Sequence, residues 1–247
     1  VENDRVIGGI TKKCSALASK LYKIFVEGDC FTTTARVAEM AKLTENASRD
    51  VSIAFANELS IICDDLGIDV WELIRLANRH PRVNILQPGP GVGGHCIAVD
   101  PWFIVSAAPA ASRLIRTARS VNDSKPDWVV NKVKLAIADI LLVEPLKCVS
   151  DLKIACYGLA FKPNIDDLRE SPAMKIASHV RDLHSGLVMV VEPNITKLPE
   201  NLNDAALVDF EVASSDAHIH ILLVDHREFV SRRPDRGRVV DTRGIWS

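Results

Sequence analysis

The chain has 247 residues, of which 47% are hydrophobic and 25% are charged, as in ordinary soluble globular proteins. This length suggests one large or two modest domains, which can bury a core without disulfide or metal support. The 30 basic and 32 acidic residues leave a net charge of −2, which argues against nucleic acid as a general partner. Every apolar run is interrupted before the roughly 18 residues that a membrane helix needs, so we expect no membrane partner.

Cysteine and histidine spacing gives no sign of a disulfide framework or a zinc site. None of the six cysteines forms C-x-x-C, and no signal peptide is visible, so we expect reduced thiols in the cytoplasm. His218 and His220 would face one side of a strand, and because no third ligand is evident we interpret them as structural. The sequence therefore predicts no metal site.

The first part of the chain predicts a strand, a helix and a strand, followed by one very long helix. Residues 4–9 and 30–34 have strand character, and residues 11–28 have an amphipathic pattern that ends at a glycine. Residues 35–66 stay helical in pattern, without Pro or Gly, until Gly67, which suits a helix C-terminus. Such a helix would be about 45 Å long, which favours a place in a domain centre or a subunit interface.

Further helices are predicted on both sides of a glycine-rich segment. A short helix should begin after Asp69, which is a good N-cap. Residues 110–123 and 125–143 predict two separate helices, with Pro126 in the first turn of the second. Residues 144–151 are the best candidate for a linker.

Beyond the linker, strands alternate with helices, which predicts a parallel, doubly wound sheet. The expected fold class is therefore α/β, with a central helical domain containing a very long helix, followed by a Rossmann-like doubly wound parallel-sheet domain. The predicted strands are 152–158, 186–193, 217–226 and 237–244, and the predicted helix is 171–185, with Ser171 as N-cap.

The stretch QPGPGVGGHCIAVDP, residues 87–101, contains Gly89, Gly91 and Gly94 in the G-x-G-x-x-G spacing of a dinucleotide-binding loop. Such a loop needs a preceding strand, a helix opening at its end and a carboxylate about 20 residues further on. Here prolines stiffen the loop, Pro101 prevents a long helix from starting at the last glycine, and AASRLIRTA contains no carboxylate. The dinucleotide interpretation is therefore disfavoured.

A second interpretation of this stretch makes it the setting of a reactive thiol. Glycines let backbone N–H groups approach a ligand, and amides beside Cys96 could favour a thiolate and stabilise an oxyanion. The alternative is a surface turn with a buried, inert cysteine. A polar stripe on one face of the long helix favours a site, although it could also be a solvated face. The stripe consists of Glu39, Lys42, Asn46 and Arg49.

Four stretches of the sequence resemble the nucleotide-sugar 6-dehydrogenases of the UDP-glucose/GDP-mannose dehydrogenase family. They are EMAKLTENASRDVSIAFANEL, LANRHPRVNILQPGPGVGGHCIAVDPWFIV, GLAFKPNIDDLRESPA and VVDTRGIW, and they follow one another in family order. The second stretch is more like the mannosamine branch than the UDP-glucose branch. The resemblance implies an NAD-dependent, four-electron oxidation of a sugar primary alcohol to a carboxylate.

The resemblance also implies roles for individual residues. Cys96 matches the nucleophile, which forms a thiohemiacetal and then a thioester, and Lys42 matches a lysine near the reacting oxygen. Asn46 and Asp100 match the positions that orient water and sugar. The implied sugar-nucleotide contacts are Arg49, His80, Arg82, Gly93, Phe161, Lys162 and Arg243, and the implied NAD contact is Arg169.

The family's N-terminal NAD-binding domain and its catalytic glutamate segment have no counterpart in this sequence. The resemblance therefore implies that residues 1–34 are the end of that domain, 35–147 the central helical dimerisation and catalytic domain, and 148–247 a UDP-sugar-binding domain. We expect a C-terminal portion of a dehydrogenase that is a homodimer through its long helix. Alternatives are a catalytically silent UDP-sugar-binding fragment, or a dehydrogenase of UDP-N-acetylglucosamine or UDP-glucose.

Overall fold

The first elements of the fold are a parallel strand pair with a helix between them. The computed structural model describes residues 2–246, so Val1, the first residue of the predicted end of the NAD-binding domain, and Ser247 lie outside the described residues. Strand β1 (Arg5–Gly9) pairs in parallel with β2 (Cys30–Thr34), and α1 (Lys12–Tyr22) connects them. The predicted order of strand, helix and strand is confirmed.

Helix α1 ends at Tyr22, six residues before Gly28, which the sequence predicted as its end. The N–H groups of Phe25 and Val26 both donate to the carbonyl of Tyr22, so the chain leaves the helix through turns. Gly28 instead lies against the backbone of Asn3, where a Cβ atom would be 2.6 Å from the carbonyl carbon. This glycine allows a close backbone approach and does not cap the helix.

The very long helix is confirmed as α2 (Ala35–Leu66). Its first turn is capped by the Thr34 hydroxyl, which accepts the N–H of Val37 at 3.3 Å. It ends at Gly67, whose φ of 67° is the left-handed conformation that glycine adopts at little cost. Helix α3 (Val70–Ala77) follows, capped by the Asp69 carboxylate as predicted.

The two helices predicted for residues 110–143 are a single helix, α5 (Arg113–Val143), so that prediction was wrong. Pro126 lies in its interior, where proline removes one backbone hydrogen bond. The buried positions nevertheless continue across it, from Asn122 and Lys125 to Val129, so packing on one face outweighs the local break. The short helix α4 (Asp100–Ala107) was not predicted, and it carries a proline in its first turn.

The C-terminal part is a five-stranded, all-parallel sheet with the strand order β5-β4-β3-β6-β7, as the predicted fold class requires. The chain order of its elements is β3 (Ile154–Tyr157), α6 (Pro172–Leu183), β4 (Val188–Val191), β5 (Ala206–Leu207), α7 (Phe210–Asp216), β6 (Ile219–Leu222), α8 (Arg227–Val230) and β7 (Arg238–Asp241). Strand β5 and helices α7 and α8 were missed because they are too short to show a period. Short 3₁₀ turns lie at Val149–Asp151 and Glu200–Leu202.

Both faces of this sheet are covered, which explains its nearly continuous apolar strands. On one face, α5 and α6 pack on residues such as Ile154, Val190 and Ile221. On the other face, Tyr157 lies among Phe210, Phe229 and Trp246, with ring centroids 4.8 to 5.8 Å away. Residues 35–143 thus form a helical region and residues 154–246 a sheet region.

Helices α2 and α5 cross through a buried polar network. Oδ1 of Asp50 lies 2.6 Å from Nη1 of Arg119, and both residues are at most 1% exposed. Asn122 Nδ2 donates to the same carboxylate oxygen at 2.8 Å. Because removing one partner of a buried ion pair costs about 3–5 kcal/mol, this network holds the two helices in one crossing geometry.

Lys125 is buried at the same crossing. Its Nζ donates to Oγ of Ser60 at 2.5 Å and lies 3.5 Å from the ring centroid of Trp128. Burial lowers the pKa of Lys125 from 10.5 to about 7, although the carboxylate of Asp64 opposes the shift. The folded protein thus favours the neutral amine more than the unfolded chain does.

This burial predicts a pH-dependent stability. Between pH 7 and 10.5 the unfolded chain binds more protons at Lys125, so the free energy of unfolding should rise with pH by up to about 1.4 kcal/mol per unit. We expect Lys125→Met to remove this component of the slope in urea unfolding measured across that window. Lys134→Met changes an exposed lysine of the same helix and should keep the wild-type slope. Identical slopes in Lys125→Met and wild type would contradict the prediction.

Candidate functional site

A cleft of about 550 Å³ lies where the helical region meets the carboxyl edge of the sheet. In the strand order, connections leave β3 and β6 in opposite directions, so the loops that follow these strands diverge and open a crevice between them. The glycine-rich loop and α2 close the other side. The cleft brings together five of the predicted site residues, namely Arg49, Gly93, Phe161, Lys162 and Arg243.

The turn after β3 is held by a buried carboxylate that sequence reasoning missed. Glu192 Oε2 accepts the N–H groups of Leu159 and Ala160 at 2.7 and 3.2 Å. His226 Nε2 lies 3.0 Å from the same oxygen. Since the N–H of Asn164 donates to Nδ1 of His226, the proton of the neutral ring is on Nε2 and points to the carboxylate.

The charged form of Glu192 is favoured by these contacts. Burial alone would raise the pKa of Glu192, but the hydrogen bonds from His226 and from the N–H of Leu159 hold it below its ordinary value. A sequence signal for the pair does exist. An acid directly follows β4 and a histidine follows β6, and the carboxyl ends of parallel strands meet at one edge.

Arg243 is fixed at the cleft wall by the loops that follow β6 and β7. Its Nε donates to Oδ1 of Asp225 at 2.7 Å, and its backbone N–H donates to Oδ1 of Asp241 at 2.7 Å. The guanidinium lies against Gly89, where a Cβ atom would be only 2.6 Å from Nη1. Glycine at this position therefore lets the loop approach the arginine closely.

The glycine-rich loop packs closely on the sheet region, in backbone conformations that suit glycine. Gly91 and Gly94 have φ values of 141° and 84°, in the region that disfavours side chains. A Cβ atom at Gly94 would be 3.2 Å from the ring of Phe161. No strand is described between residues 78 and 99, so the loop lacks the preceding strand that a dinucleotide-binding loop needs.

Cys96, the predicted nucleophile, lies in a turn beside this cleft. The N–H of Asp100 donates to the carbonyl of Cys96 at 2.8 Å, and Nδ2 of Asn46 donates to Oδ2 of Asp100 at 2.5 Å. Asn46 is buried, whereas Cys96 is exposed and precedes Ile97, which lines the cleft. The alternative that Cys96 is buried is therefore wrong. By contrast, burial raises the pKa of Cys156 to about 12.

Four other predicted site residues lie outside the cleft lining. Lys42 is exposed on α2, one helical turn before the buried asparagine, and its Nζ pairs with a neighbouring glutamate at 3.2 Å. His80 and Arg82 are exposed in the segment after α3. Arg169 Nε donates to Oδ1 of Asp167 at 2.9 Å, and this contact holds the pKa of Asp167 well below its usual range.

Metal-binding and membrane-spanning features are not found in residues 2–246. No group of three or more His, Cys, Asp or Glu side chains is placed to hold a metal ion, and no helix is both long and apolar enough to cross a bilayer. Nδ1 of His218 accepts the N–H of Lys153 at 3.0 Å. Nδ1 of His220 lies 2.9 Å from the hydroxyl of Tyr157, so both histidines take part in hydrogen bonds within the sheet region.

Comparison with known families matches both walls of the cleft. Residues 36–124 match the central domain of the UDP-glucose/GDP-mannose dehydrogenase family, and residues 155–247 match its UDP binding domain. The chain belongs to this family. The two matched segments contribute α2 and the glycine-rich loop on one side of the cleft, and Phe161, Lys162 and Arg243 on the other.

Similar proteins are longer than this chain. It is 61% identical over 250 residues to a UDP-N-acetyl-D-mannosamine dehydrogenase of Yersinia pestis, covering all of this chain and 59% of that protein. It is 60% identical to an NDP-N-acetyl-D-galactosaminuronic acid dehydrogenase of Ralstonia nicotianae, covering 57% of it. A solved UDP-D-ManNAc dehydrogenase of Pyrococcus horikoshii is 37% identical, with a TM-score of 0.87, over the whole of this chain and 57% of that one. The chain thus spans about three fifths of the curated relatives' length.

The buried carboxylate behind the cleft yields a stability prediction. In Glu192→Gln an amide N–H₂ group would replace one of the two carboxylate oxygens and would face the N–H groups that this oxygen now accepts. We therefore expect a loss of about 1–3 kcal/mol in the free energy of unfolding. Chemical denaturation of the variant and wild type at neutral pH measures it. Glu200→Gln, at an exposed position of the same region, should change the free energy by much less. Equal stabilities of Glu192→Gln and wild type would show that the network is dispensable.

Proposed function

We propose that this chain is the sugar-nucleotide-binding and thiol-bearing part of an NAD-dependent UDP-N-acetyl-D-mannosamine 6-dehydrogenase. The observation that carries the proposal is the cleft at the sheet's switch point, where Arg49, the glycine-rich loop and Arg243 face one another beside an exposed cysteine. The family membership and the relatives that act on an N-acetylated amino sugar support the choice of substrate. Its six unpaired cysteines are consistent with a cytoplasmic enzyme.

The cleft has the chemistry that a nucleoside diphosphate needs. Lys162 and Arg243 offer cationic groups at one wall, and Arg49 offers a third on α2. Backbone N–H groups near Gly93 can approach phosphate oxygens because glycine lacks a side chain. The ring of Phe161, which packs on the loop, gives a flat apolar surface against a base or sugar. We assign the exposed His80 and Arg82 to contacts with the part of the sugar nucleotide that lies outside the cleft.

In the proposed reaction, the Cys96 thiolate is the nucleophile. Its sulfur attacks the aldehyde carbon that the first oxidation leaves, forming a thiohemiacetal whose oxyanion is stabilised by the ammonium of Lys42. Loss of a hydride from that carbon gives a thioester, and water oriented by Asn46 and Asp100 cleaves the C–S bond to release the carboxylate and the thiol. The short contact between Asn46 and Asp100 supports their joint action.

Two molecules of NAD, bound in turn, would accept one hydride each in this oxidation. Of the cofactor contacts that the resemblance implies, this chain supplies Arg169, whose side chain is 69% exposed and held in place by Asp167. A guanidinium that is both exposed and oriented fits a contact to an anionic group of the cofactor. The resemblance implies that the other cofactor contacts belong to the family's NAD-binding domain, so we expect no hydride transfer by this chain alone.

The sugar has a second candidate. Identity to the N-acetyl-D-galactosaminuronic acid dehydrogenase of Ralstonia is nearly as high as to the mannosamine enzymes, which favours an N-acetylated sugar of another configuration. A silent fragment that binds a UDP-sugar is the third possibility, supported by the match of residues 155–247 to a UDP binding domain. Turnover measurements separate these functions.

The reaction can be tested in a protein that carries the full family length. We expect NAD reduction to be faster with UDP-N-acetylmannosamine than with UDP-N-acetylglucosamine or UDP-glucose. Cys96→Ser should reduce uronic acid formation by at least about 10³-fold, because the hydroxyl is a far weaker nucleophile at neutral pH. Cys63→Ser, which changes a buried cysteine of α2, is the matched control and should keep acid formation.

Three outcomes would count against parts of this proposal. Equal acid production by the two cysteine variants would remove Cys96 from the reaction. A preference for UDP-glucose would overturn the mannosamine assignment while leaving the reaction class intact. NAD reduction by the 247-residue chain on its own would show that the further cofactor contacts are unnecessary.

We also propose that the protein is a homodimer through α2. Phe55, Ile62 and Leu66 are 46 to 66% exposed and lie on one face of this helix, at offsets of seven and four. Exposed apolar stripes of this kind mark association surfaces.

If α2 forms the dimer interface, a charged substitution on its exposed apolar face should lower the molecular mass in solution. Ile62→Glu should convert the protein to a monomer in light scattering, because it buries a charge in the interface. Leu146→Glu, at a 99% exposed position in the linker, should leave the mass unchanged. A monomeric wild type would refute the dimer.

A further inference from the structure

The backbone of the glycine-rich loop is tied directly to the long helix by one side chain. The N–H of Gly89 donates to Oδ1 of Asn57 at 2.9 Å, and Asn57 is fully buried. Asn57 lies three helical turns after Asn46 on α2, so it does not belong to the group proposed to act on the sugar. The helix thus contacts the loop at a point remote from the thiol.

The amide of Asn57 can take only one orientation. Its Nδ2 donates to Oδ1 of Asn122 at 2.9 Å, and Asn122 uses its own Nδ2 to donate to Asp50. A flipped amide would set its N–H₂ group against the N–H of Gly89 and its oxygen against the oxygen of Asn122. The network that holds α2 on α5 therefore also directs an acceptor at the loop.

Gly89 is in turn the contact between the loop and Arg243. The guanidinium lies so close that a Cβ atom on Gly89 would be 2.6 Å from Nη1, and both residues line the cleft. A shift of the loop away from Asn57 would move Gly89 toward or away from this arginine. The position of one amide thus sets the separation of the two walls.

We propose that Asn57 is a positioning residue for the sugar nucleotide. It holds Gly89 at the distance from Arg243 that lets the loop amides and the guanidinium contact one diphosphate together. This inference rests on the proposed function of the cleft as a UDP-sugar site. It adds a residue that touches neither substrate nor cofactor and acts through the loop.

The test measures UDP binding and loop exchange in parallel. Asn57→Ala should weaken UDP binding about tenfold or more in calorimetric titration, and should speed amide hydrogen exchange in residues 87–95. Asn122→Ala keeps the Oδ1 acceptor of Asn57 but removes the hydrogen bond that orients the Asn57 amide. The loss of UDP affinity and the gain in exchange rate should therefore both be smaller than in Asn57→Ala. Tyr157→Phe removes a buried hydroxyl contact with His220, in the aromatic cluster on the sheet face opposite α5, and should lower stability without changing either readout.

A double-variant cycle separates positioning from general destabilisation. If Asn57 acts through Arg243, the loss of UDP affinity in Asn57→Ala combined with Arg243→Gln should be smaller than the product of the single losses. Wild-type affinity in Asn57→Ala, or losses that multiply, would overturn the proposal. If Asn57→Ala fails to fold, Asn122→Ala with Arg243→Gln decides by the same criterion.

Failure of the proposed function would give a different result. If wild type does not bind UDP, the cleft is not a UDP site, whereas exchange at the loop still reports whether Asn57 holds it. Unchanged exchange in both asparagine variants would refute the positioning role on its own.

Discussion

The buried pair of Asp50 and Arg119 sets the geometry on which the cleft depends. Two charges removed from water at a helix crossing are stabilised only if each partner stays in place, so the pair fixes α2 relative to α5. Asn122 and Asn57 extend the same network to the glycine-rich loop. A constraint between two helices therefore becomes a constraint on the wall of a site.

The two walls of the cleft use the same physical device. On the sheet side, the Glu192 carboxylate accepts backbone N–H groups of the turn that precedes Phe161 and Lys162. On the helical side, the Asn57 carbonyl accepts the N–H of Gly89. In each case a buried acceptor holds a loop that has little hydrogen bonding of its own, and buried polar contacts of this kind specify one arrangement. The cleft is thus shaped by polar groups that its ligand would not touch.

Much of the fold could be predicted because its signals are local. The 32-residue helix shows its length through an uninterrupted period and its end through Gly67, and the strands show theirs through apolar runs of four residues. Pro126 misled the prediction because its local cost is real, yet α5 gains more from the residues that it buries on both sides. Secondary structure follows the chain only where packing does not override it.

The candidate site was less predictable than the fold. The glycines and Cys96 carry signals in residue type and spacing, whereas Arg243 was implied only by the family resemblance. The cleft brings Gly89, Gly91 and Gly93 together with Arg243. Glu192, His226 and Asn57 carry weak signals, because a single acid or amide is common and its role depends on a partner 30 or more residues away. Such partners meet only when distant segments pack.

By itself, the sequence determined the α/β class, the long helix, the rejection of a dinucleotide loop and the family resemblance, since each rests on residue type and local spacing. Only the tertiary structure decided that α5 is continuous, that Cys96 is exposed and that Asn57 holds Gly89 against Arg243. The physical reason is that burial and hydrogen bonding between distant segments depend on how helices and strands pack, which no local pattern specifies.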